Sequence, residues 1–199
     1  MSGNFKFERQ CYALGYQAIA GVDEVGMGCL AGPVVAAAVI LVKDKAPKGI
    51  DDSKKLSAKK REQLDAQIRE SAVSFSIALA TVEEIDTINI FHAAKLAMNR
   101  AIEALNPKAD YLLIDGRHPL KSPLPQQAIV KGDQQSVSIG AASILAKVFR
   151  DRMMQEFDGV YPGYEFASHK GYGSTTHRKA LQTLGRSPIH RKTFSWTPV

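Results

Sequence analysis

Hydrophobic and polar positions repeat with two different periods along this chain. Residues 17–25 and 33–42 are apolar almost throughout, which is typical of strands that are covered on both faces. The glycine-rich segment between them predicts a hairpin. Residues 89–105 instead carry apolar side chains at every third or fourth position, which predicts an amphipathic helix that Asn106-Pro107 ends.

The remaining elements follow from the same two patterns. Strands are predicted over residues 73–80, 111–115 and 126–130, and helices through about residue 70 after an N-cap at Ser57, over about 136–157, and over 176–184. The last fifteen residues look irregular. Since strands precede and alternate with helices, the sequence predicts an α/β fold with a mixed β-sheet and a helical C-terminal segment.

Length and composition fit one globular domain that buries its own core. The chain has 199 residues, of which 45% are hydrophobic and 23% are charged. Its two cysteines, Cys11 and Cys29, are too few for a disulfide framework or a zinc site, so we expect a reducing, cytoplasmic environment. The first ten residues hold no apolar signal-peptide core, and no apolar run approaches the length of a membrane span. We therefore expect neither secretion nor a membrane.

Charge is distributed unevenly along the sequence. The net charge is +6, and residues 147–199 alone hold nine Lys or Arg against four acids. The other 146 residues are nearly neutral, with 17 basic and 16 acidic side chains. A basic end on a near-neutral body is typical of a polyanion-binding protein, although a basic surface that only serves solubility is the alternative.

Carboxylates follow three of the predicted strands, and each lies close to a glycine. Asp23 and Glu24 end the first strand, Asp115 ends the strand 111–115, and Asp133 follows the strand 126–130. Because functional groups gather at the strand ends of open α/β sheets, these acids can converge. Asp23 and Glu24 point to opposite faces unless the strand ends or bends beside them, which Gly26 allows. A hairpin whose acids simply face water is the alternative.

Four carboxylates without a converging histidine or cysteine favour a hard cation such as Mg²⁺ or Mn²⁺. Two such ions can activate a water and stabilise the leaving oxygen in phosphodiester cleavage. Together with the basic end, the acids therefore predict a nuclease. Five other acids lie beside basic residues or on helix faces and are better explained by ion pairing: Asp51, Asp52, Asp110, Asp151 and Glu156. For Asp151, which Lys147, Arg150 and Arg152 surround, we predict a structural role.

Six sequence blocks together resemble the type 2 ribonucleases H, specifically bacterial ribonuclease HII. They are GVDEVG with the glycines and LAGPVV after it (21–35), DSKKLS (52–57), LLIDG (112–116), KGD (131–133), AASILAKVFRDR (141–152) and HKGYG (169–173). The blocks occur in the family's order, and the resemblance covers residues 17 to about 192. Each block alone is weak, and their coincidence is specific.

This resemblance implies a ribonuclease H-like mixed sheet flanked by helices at about 17–157, with a small helical, substrate-binding C-terminal segment at about 158–199. It implies cleavage of RNA–DNA hybrids and nicking of duplex DNA 5′ of single ribonucleotides, with two Mg²⁺ or Mn²⁺ ions and 3′-hydroxyl and 5′-phosphate ends. The family's acids match Asp23, Glu24, Asp115 and Asp133. We expect a cytoplasmic monomer.

The resemblance also implies how the substrate is bound. Tyr172 matches a tyrosine that senses the ribonucleotide together with a Gly-Arg-Gly turn, and Lys54 and the C-terminal basic groups are expected to hold phosphates. A loop tyrosine that only packs an apolar flank is the alternative for Tyr172. The turn here is Gly26-Met27-Gly28. Because methionine has no donor, we expect weaker substrate binding.

Gly140 is a smaller departure, since the family usually has alanine there, and it predicts a slightly less stable helix. Two other function classes stay open at this point. One is a non-catalytic protein that binds RNA–DNA hybrids, which Met27 favours and the four acids disfavour. The other is a small-molecule phosphohydrolase, for which the basic charge is spread too widely.

Overall fold

The computed structural model describes residues 4–199, and its strands form one mixed, five-stranded sheet in the order β3-β2-β1-β4-β5. The strands are β1 (Ile19–Val25), β2 (Val34–Ile40), β3 (Ser74–Ala80), β4 (Tyr111–Asp115) and β5 (Gln126–Ile129). β1, β2 and β3 pair antiparallel, whereas β4 is parallel to both β1 and β5. The predicted hairpin and the predicted mixed sheet are confirmed.

Six α-helices and one 3₁₀ turn accompany the sheet within residues 4–199. The helices are α1 (Lys6–Ala13), α2 (Ala58–Ser71), α3 (Val82–Ala104), α4 (Val137–Val160), α5 (Phe166–His169) and α6 (Thr175–Leu184), and the 3₁₀ turn is Gly132–Gln134. Ser57 caps α2 as predicted, since its side chain accepts the N–H of Lys60.

Both faces of the sheet are covered, as the continuous apolar strands predicted. The face that carries Val22, Ala36 and Ile114 packs against α3, and the opposite face, with Val35 and Ala37, packs against α2 and α4.

Close approach sets the position of α4 over β1. A Cβ on Gly21 would lie 2.1 Å from the carbonyl carbon of Ser138, so only glycine lets this helix lie directly on the strand. This contact of the first turn of α4 brings Ser143, in its second turn, close to Asp23 at the end of β1.

Three helical segments differ from the prediction. The sequence does not predict α1. Helix α3 begins at Val82 rather than at residue 89, and the four residues of α5 lie in a segment that was predicted to be a loop. The helix α3 has a break at Asn89 (φ 63°), whose side chain accepts the N–H groups of Phe91 and His92. The predicted start at residue 89 is therefore the start of the second part of a longer, kinked helix.

The chain after α4 folds back on the turn between β1 and β2. Isolated bridges pair Cys29 with Tyr172 and Ala31 with His190, and the N–H of Leu30 donates to the carbonyl of Gly171 at 2.8 Å. This C-terminal segment carries α5 and α6, which confirms the predicted helical extension. Within residues 4–199, no helix is both long enough and apolar enough to cross a membrane.

Candidate active site

The carboxyl ends of β1 and β4 place the first two predicted strand-end positions side by side. These strands are parallel and pair up to Val22 and Ile114, so that Asp23 and Asp115 occupy the next positions on adjacent strands. The Asp115 carboxylate accepts the N–H of Gly132 at 2.6 Å, which holds the neighbouring Asp133 beside β4. Sequence positions far apart in the chain thus meet at one edge of the sheet.

Asp23 and Glu24 both line one cavity of about 390 Å³, together with Lys54 and Tyr172. Glu24 also lines a second cavity, of about 140 Å³, with Asp115 and Met27. Adjacent side chains of β1 do point to opposite faces, but the strand ends one residue after Glu24, so both carboxylates reach the same edge. A shared site required the strand to end or bend beside Asp23 and Glu24, and the strand does end there.

Burial and mutual repulsion perturb the acids strongly. Burial, followed by the charges of Glu24 and Asp115, raises the pKa of Asp23 well above its ordinary value. Burial and the Asp115 charge raise the pKa of Glu24 to about 7. Burial, Asp115 and Asp52 raise the pKa of Asp133 to about 6. Such shifts mark a cluster of negative charge that the protein itself does not neutralise.

The cluster suits a divalent cation by its chemistry. Its donors are carboxylate oxygens, which Mg²⁺ and Mn²⁺ prefer, and a bound cation would relieve the repulsion between them. Within residues 4–199, no three Asp, Glu, His or Cys side chains form a ready cage for a metal.

The glycine turn lies at the mouth of the second cavity. Gly26 has φ 97°, and a Cβ on it would lie 2.4 Å from Nε of Arg150, so the turn requires glycine there on both counts. A Cβ on Gly28 would meet no atom within 4 Å, which leaves this part of the backbone open to a ligand. The side chain of Met27 packs on the apolar cluster beside α3.

Tyr172 lies in the same cavity as two of the acids. It is 39% exposed, lines the cavity of Asp23 and Glu24, and its main chain forms a bridge with Cys29. Lys54 is exposed at the rim of the same cavity, and its charge acts on both Glu24 and Asp133.

This cavity has further polar groups, of which Ser53, Arg61 and Ser143 were not predicted and Lys147 was expected only as one of the C-terminal basic groups. Ser143 is close enough to Asp23 to counteract part of the rise in its pKa, and its hydroxyl lies 2.9 Å from that of Ser53. Lys147 and Arg61 also line the cavity. A signal was present in the sequence, because Ser143, Lys147 and Asp151 are spaced by four and so share one face of α4.

Asp151 has the structural role that was predicted. Its carboxylate accepts a hydrogen bond from Nζ of Lys147 at 2.6 Å and lies 3.6 Å from a terminal nitrogen of Arg61. The ion pair fixes the direction of two cationic side chains that border the cavity. Asp51 also forms a predicted ion pair, at 3.8 Å from Lys55, and Glu156 is exposed on α4.

Two of the other acids have different roles from the predicted ion pairs. Asp110 accepts the main-chain N–H groups of Gln17 and Ala18 at 2.7 and 2.9 Å, which fixes the chain at the start of β1. Asp52 is 7% exposed, accepts the N–H of Lys54 at 2.9 Å, and is close enough to Asp133 to raise its pKa. Asp52 therefore borders the acid cluster.

Known proteins resemble this chain over most of its length. A model of the family described as Ribonuclease HII matches residues 20–197. The ribonuclease HII of Syntrophotalea carbinolica is 53% identical over 188 residues, which is 94% of this chain and 90% of that protein. The crystal structure of ribonuclease H2 from Pyrococcus horikoshii OT3 superposes with a TM-score of 0.74 and 27% identity, covering 89% of this chain and 94% of that chain.

A more distant likeness concerns the fold alone. The crystal structure of Bst-RNase HIII in complex with Mn²⁺ has a TM-score of 0.62 and 18% identity, covering 87% of this chain and 65% of that chain. These comparisons and the mixed sheet define a ribonuclease H fold and a type 2 ribonuclease H as the class of enzyme. The chain belongs to the ribonuclease HII family, whose members are endoribonucleases that act on RNA–DNA hybrids.

Proposed function

We propose that this chain nicks duplex DNA on the 5′ side of a single embedded ribonucleotide and cleaves the RNA strand of hybrids, leaving 3′-hydroxyl and 5′-phosphate ends. The observation that supports this most strongly is the cluster of strand-end acids Asp23, Glu24, Asp115 and Asp133. Burial and the repulsion within the cluster raise the pKa values of Asp23, Glu24 and Asp133, which indicates negative charge that the protein leaves uncompensated. The cavity beside them holds the tyrosine and cations that a nucleic acid strand needs.

We propose these four acids as ligands of two Mg²⁺ or Mn²⁺ ions. Bound there, the ions would activate a water and stabilise the leaving oxygen. The Mn²⁺ named for the Bst ribonuclease HIII structure is consistent with this donor set. The N–H of Glu24 donates to the carboxyl group of Asp23 at 2.8 Å and orients it, and the N–H of Gly132 orients that of Asp115.

The other groups of the cavity position the nucleic acid. Lys54 and Lys147 present cations that can hold backbone phosphates without reading base sequence. Tyr172 offers a ring face on which the sugar next to the ribonucleotide can lie, and the main chain of Gly26, Met27 and Gly28 can approach the ribose 2′-hydroxyl. The segment 158–199, which supplies Tyr172, is in this proposal the substrate-binding part of a single catalytic domain.

The cellular setting is also a proposal. Cys11 and Cys29 are both buried and free, which supports a reducing compartment such as the cytoplasm. We expect a monomer, because duplex DNA needs an open face beside the acids. Light scattering on the purified chain measures that state directly.

A three-substrate cleavage assay tests this function. The substrates are a DNA duplex with one ribonucleotide, the same duplex in DNA only, and a uniform RNA–DNA hybrid, each with Mg²⁺ and with EDTA. The proposal predicts nicking of the first and third substrates, with 5′-phosphate ends and with Mg²⁺ only. Tight binding of the ribonucleotide duplex without cleavage in Mg²⁺ or Mn²⁺ would instead support the hybrid-binding alternative.

A further inference from the structure

Two arginine side chains are buried beneath the glycine turn with no acid to neutralise them. Arg150 and Arg191 are 0% and 1% exposed. Within residues 4–199, neither guanidinium forms an ion pair with a carboxylate. A buried charge is costly unless many hydrogen bonds satisfy it, so the placement of these two groups needs a physical explanation.

Main-chain carbonyls satisfy both guanidinium groups. Arg150 donates to the carbonyls of Pro33, Ala31 and Lys170 at 3.0, 3.0 and 2.8 Å. Arg191 donates to those of Gly26, Met27 and Gly32, at 2.6, 2.9 and 2.9–3.0 Å. Five of these six carbonyls belong to residues 26–33, so the arginines hold the turn and the chain that follows it.

Arg191 binds both arms of the turn at once. It joins the carbonyls of Gly26 and Met27 on one side to that of Gly32 on the other, and its planar fork fixes their relative directions. In a trans peptide the N–H points opposite to the C=O. With the carbonyls of Gly26 and Met27 directed at the guanidinium, the N–H groups of Met27 and Gly28 therefore point away from it.

These two N–H groups are free to bind a ligand. Among the hydrogen bonds of residues 4–199, neither the N–H of Met27 nor that of Gly28 has a protein acceptor. The space around Gly28 is open, and the turn borders the cavity of Glu24 and Asp115. Two adjacent donors above a buried positive charge form a site for an electron-rich oxygen, such as a ribose hydroxyl or a phosphate oxygen.

We propose that Arg191 is a positioning residue for ribose recognition. It presets the turn so that the N–H groups of Met27 and Gly28 meet the sugar-phosphate backbone at the ribonucleotide, and its buried charge strengthens both donors. The inference rests on the proposed function, since it assigns the turn to that substrate. The turn has no positively charged side chain at Met27, but the guanidinium of Arg191 lies beneath its main chain.

Binding without metal separates this role from a purely structural one. The variant Arg191→Lys keeps the charge but loses the fork that spans three carbonyls. Fluorescence anisotropy in EDTA gives the Kd of a DNA duplex with one ribonucleotide and the Kd of the all-DNA duplex, and their ratio measures the preference for ribose. We expect the preference to fall about tenfold in Arg191→Lys, mostly through weaker binding of the ribonucleotide duplex.

Two further variants complete the experiment. Arg100→Lys is the matched control, because Arg100 donates to the carbonyl of Leu79 and to Glu84 rather than to the turn, and we expect it to keep the wild-type ratio. Phe194→Leu removes the ring that lies 5.0 Å from the guanidinium of Arg191 and loosens the clamp mildly. It should lower the preference about two- to threefold, even if Arg191→Lys does not fold.

An unchanged ratio in folded Arg191→Lys, with only a lower Tm, would overturn the proposal, as would an unchanged ratio in Phe194→Leu. A wild-type ratio near one would overturn it as well, because the turn would then not read the sugar. The proposed function fails separately: a wild-type chain that prefers ribose in EDTA but never nicks the duplex in Mg²⁺ or Mn²⁺ would contradict the nuclease and leave the role of Arg191 supported.

Discussion

Met27 places an apolar side chain in the glycine turn, where a cation would help to bind a nucleic acid phosphate. Its side chain packs with Phe91 and Met98 along the second cavity rather than presenting a cation. The variant Met27→Arg can turn its guanidinium outward to a phosphate. We expect the Kd for a ribonucleotide-containing duplex to fall about five- to tenfold, measured by anisotropy in EDTA, because one charge-assisted hydrogen bond is gained.

Met27→Leu is the control for the shape of the apolar side chain, and we expect wild-type affinity from it. If Met27→Arg leaves both the affinity and the preference for ribose over deoxyribose unchanged, the missing guanidinium has no consequence. The turn would then bind its substrate through the main chain alone.

Gly140 is explained by packing rather than by helix propensity. A Cβ at this position in α4 would lie 2.8 Å from Cγ2 of Ile50 and 3.0 Å from the carbonyl oxygen of Asp133. Although alanine favours a helix by up to about 1 kcal/mol over glycine, this overlap reverses the sign. We expect Gly140→Ala to lower the free energy of unfolding by about 1–3 kcal/mol in a urea titration.

Gly159, near the end of the same helix, is the matched control. A Cβ there would meet no atom within 4 Å, so Gly159→Ala should raise stability by a few tenths of a kcal/mol. A stabilising effect of Gly140→Ala would show that Ile50 and the 3₁₀ turn give way easily. The expectation from the sequence, that glycine at position 140 makes the helix less stable than alanine would, would then be correct.

At the scale of elements, a pair of buried histidines joins α6 to the end of the chain. His177 donates from Nδ1 to the carbonyl of Tyr172 at 2.9 Å, so its Nε2 accepts from Nε2 of His190 at 2.9 Å. The Nδ1 of His190 in turn accepts the N–H of Ser187 at 2.8 Å. This chain of bonds fixes both tautomers and holds the main chain of Tyr172 from below.

The pair should make stability depend on pH. Burial lowers the pKa of both His177 and His190 to about 4, and their neighbours His169 and Arg186 add repulsion. Between pH 6.5 and about 4 the unfolded chain therefore binds more protons than the folded chain, so stability is complete above pH 6.5 and is lost as the pH falls. Each ring contributes at most about 1.4 kcal/mol per pH unit.

Urea titrations at several pH values isolate this effect. In the variant His190→Gln, the side-chain amide can still donate to His177, and it does not titrate. We expect this variant to lose less stability than the wild type between pH 6.5 and about 4, whereas His92→Gln, at an exposed position, should follow the wild-type curve. Parallel curves for His190→Gln and the wild type would rule out the histidine pair as the cause.

The elements that the prediction missed differ in how visible they are in the sequence. The first part of α3 carries a capping box, in which Thr81 and Glu84 bond each other's main chain, and this spacing was there to be found. α1 gave no such signal, because its N-cap Phe5 makes no side-chain cap. It is held by tertiary contacts instead: Glu8 is buried and accepts the N–H of Ser138 at 3.0 Å.

At the scale of the whole molecule, the acids were found because strand ends can be located from apolar runs alone. The spacing of Ser143 and Lys147 places them on one face of α4, but which part of the sheet this face meets depends on how α4 crosses β1 at Gly21, which the sequence pattern does not show. The pattern could not reveal Arg150 and Arg191 either, because a buried arginine looks like a surface arginine in sequence. The roles of these residues depend on contacts between elements that are far apart in the sequence, and no local sequence pattern encodes such contacts.

We propose that the strand-end acids form a metal-dependent nuclease site, and a substitution at Asp115 tests this proposal. The measurement is the rate of nicking of a duplex with one ribonucleotide by Asp115→Asn, with Mg²⁺, with Mn²⁺ and with EDTA. Asp44→Asn is the matched control, since Asp44 is exposed, pairs only with Arg9 among the described residues, and has a φ of 56° that asparagine tolerates.

We predict nicking directly 5′ of the ribonucleotide by the wild type and by Asp44→Asn with either metal and none with EDTA. Asp115→Asn should be slower by about a hundredfold or more, or about 3 kcal/mol in activation free energy, at an unchanged Tm. Wild-type nicking by a folded Asp115→Asn, or undiminished nicking in EDTA, would contradict the site.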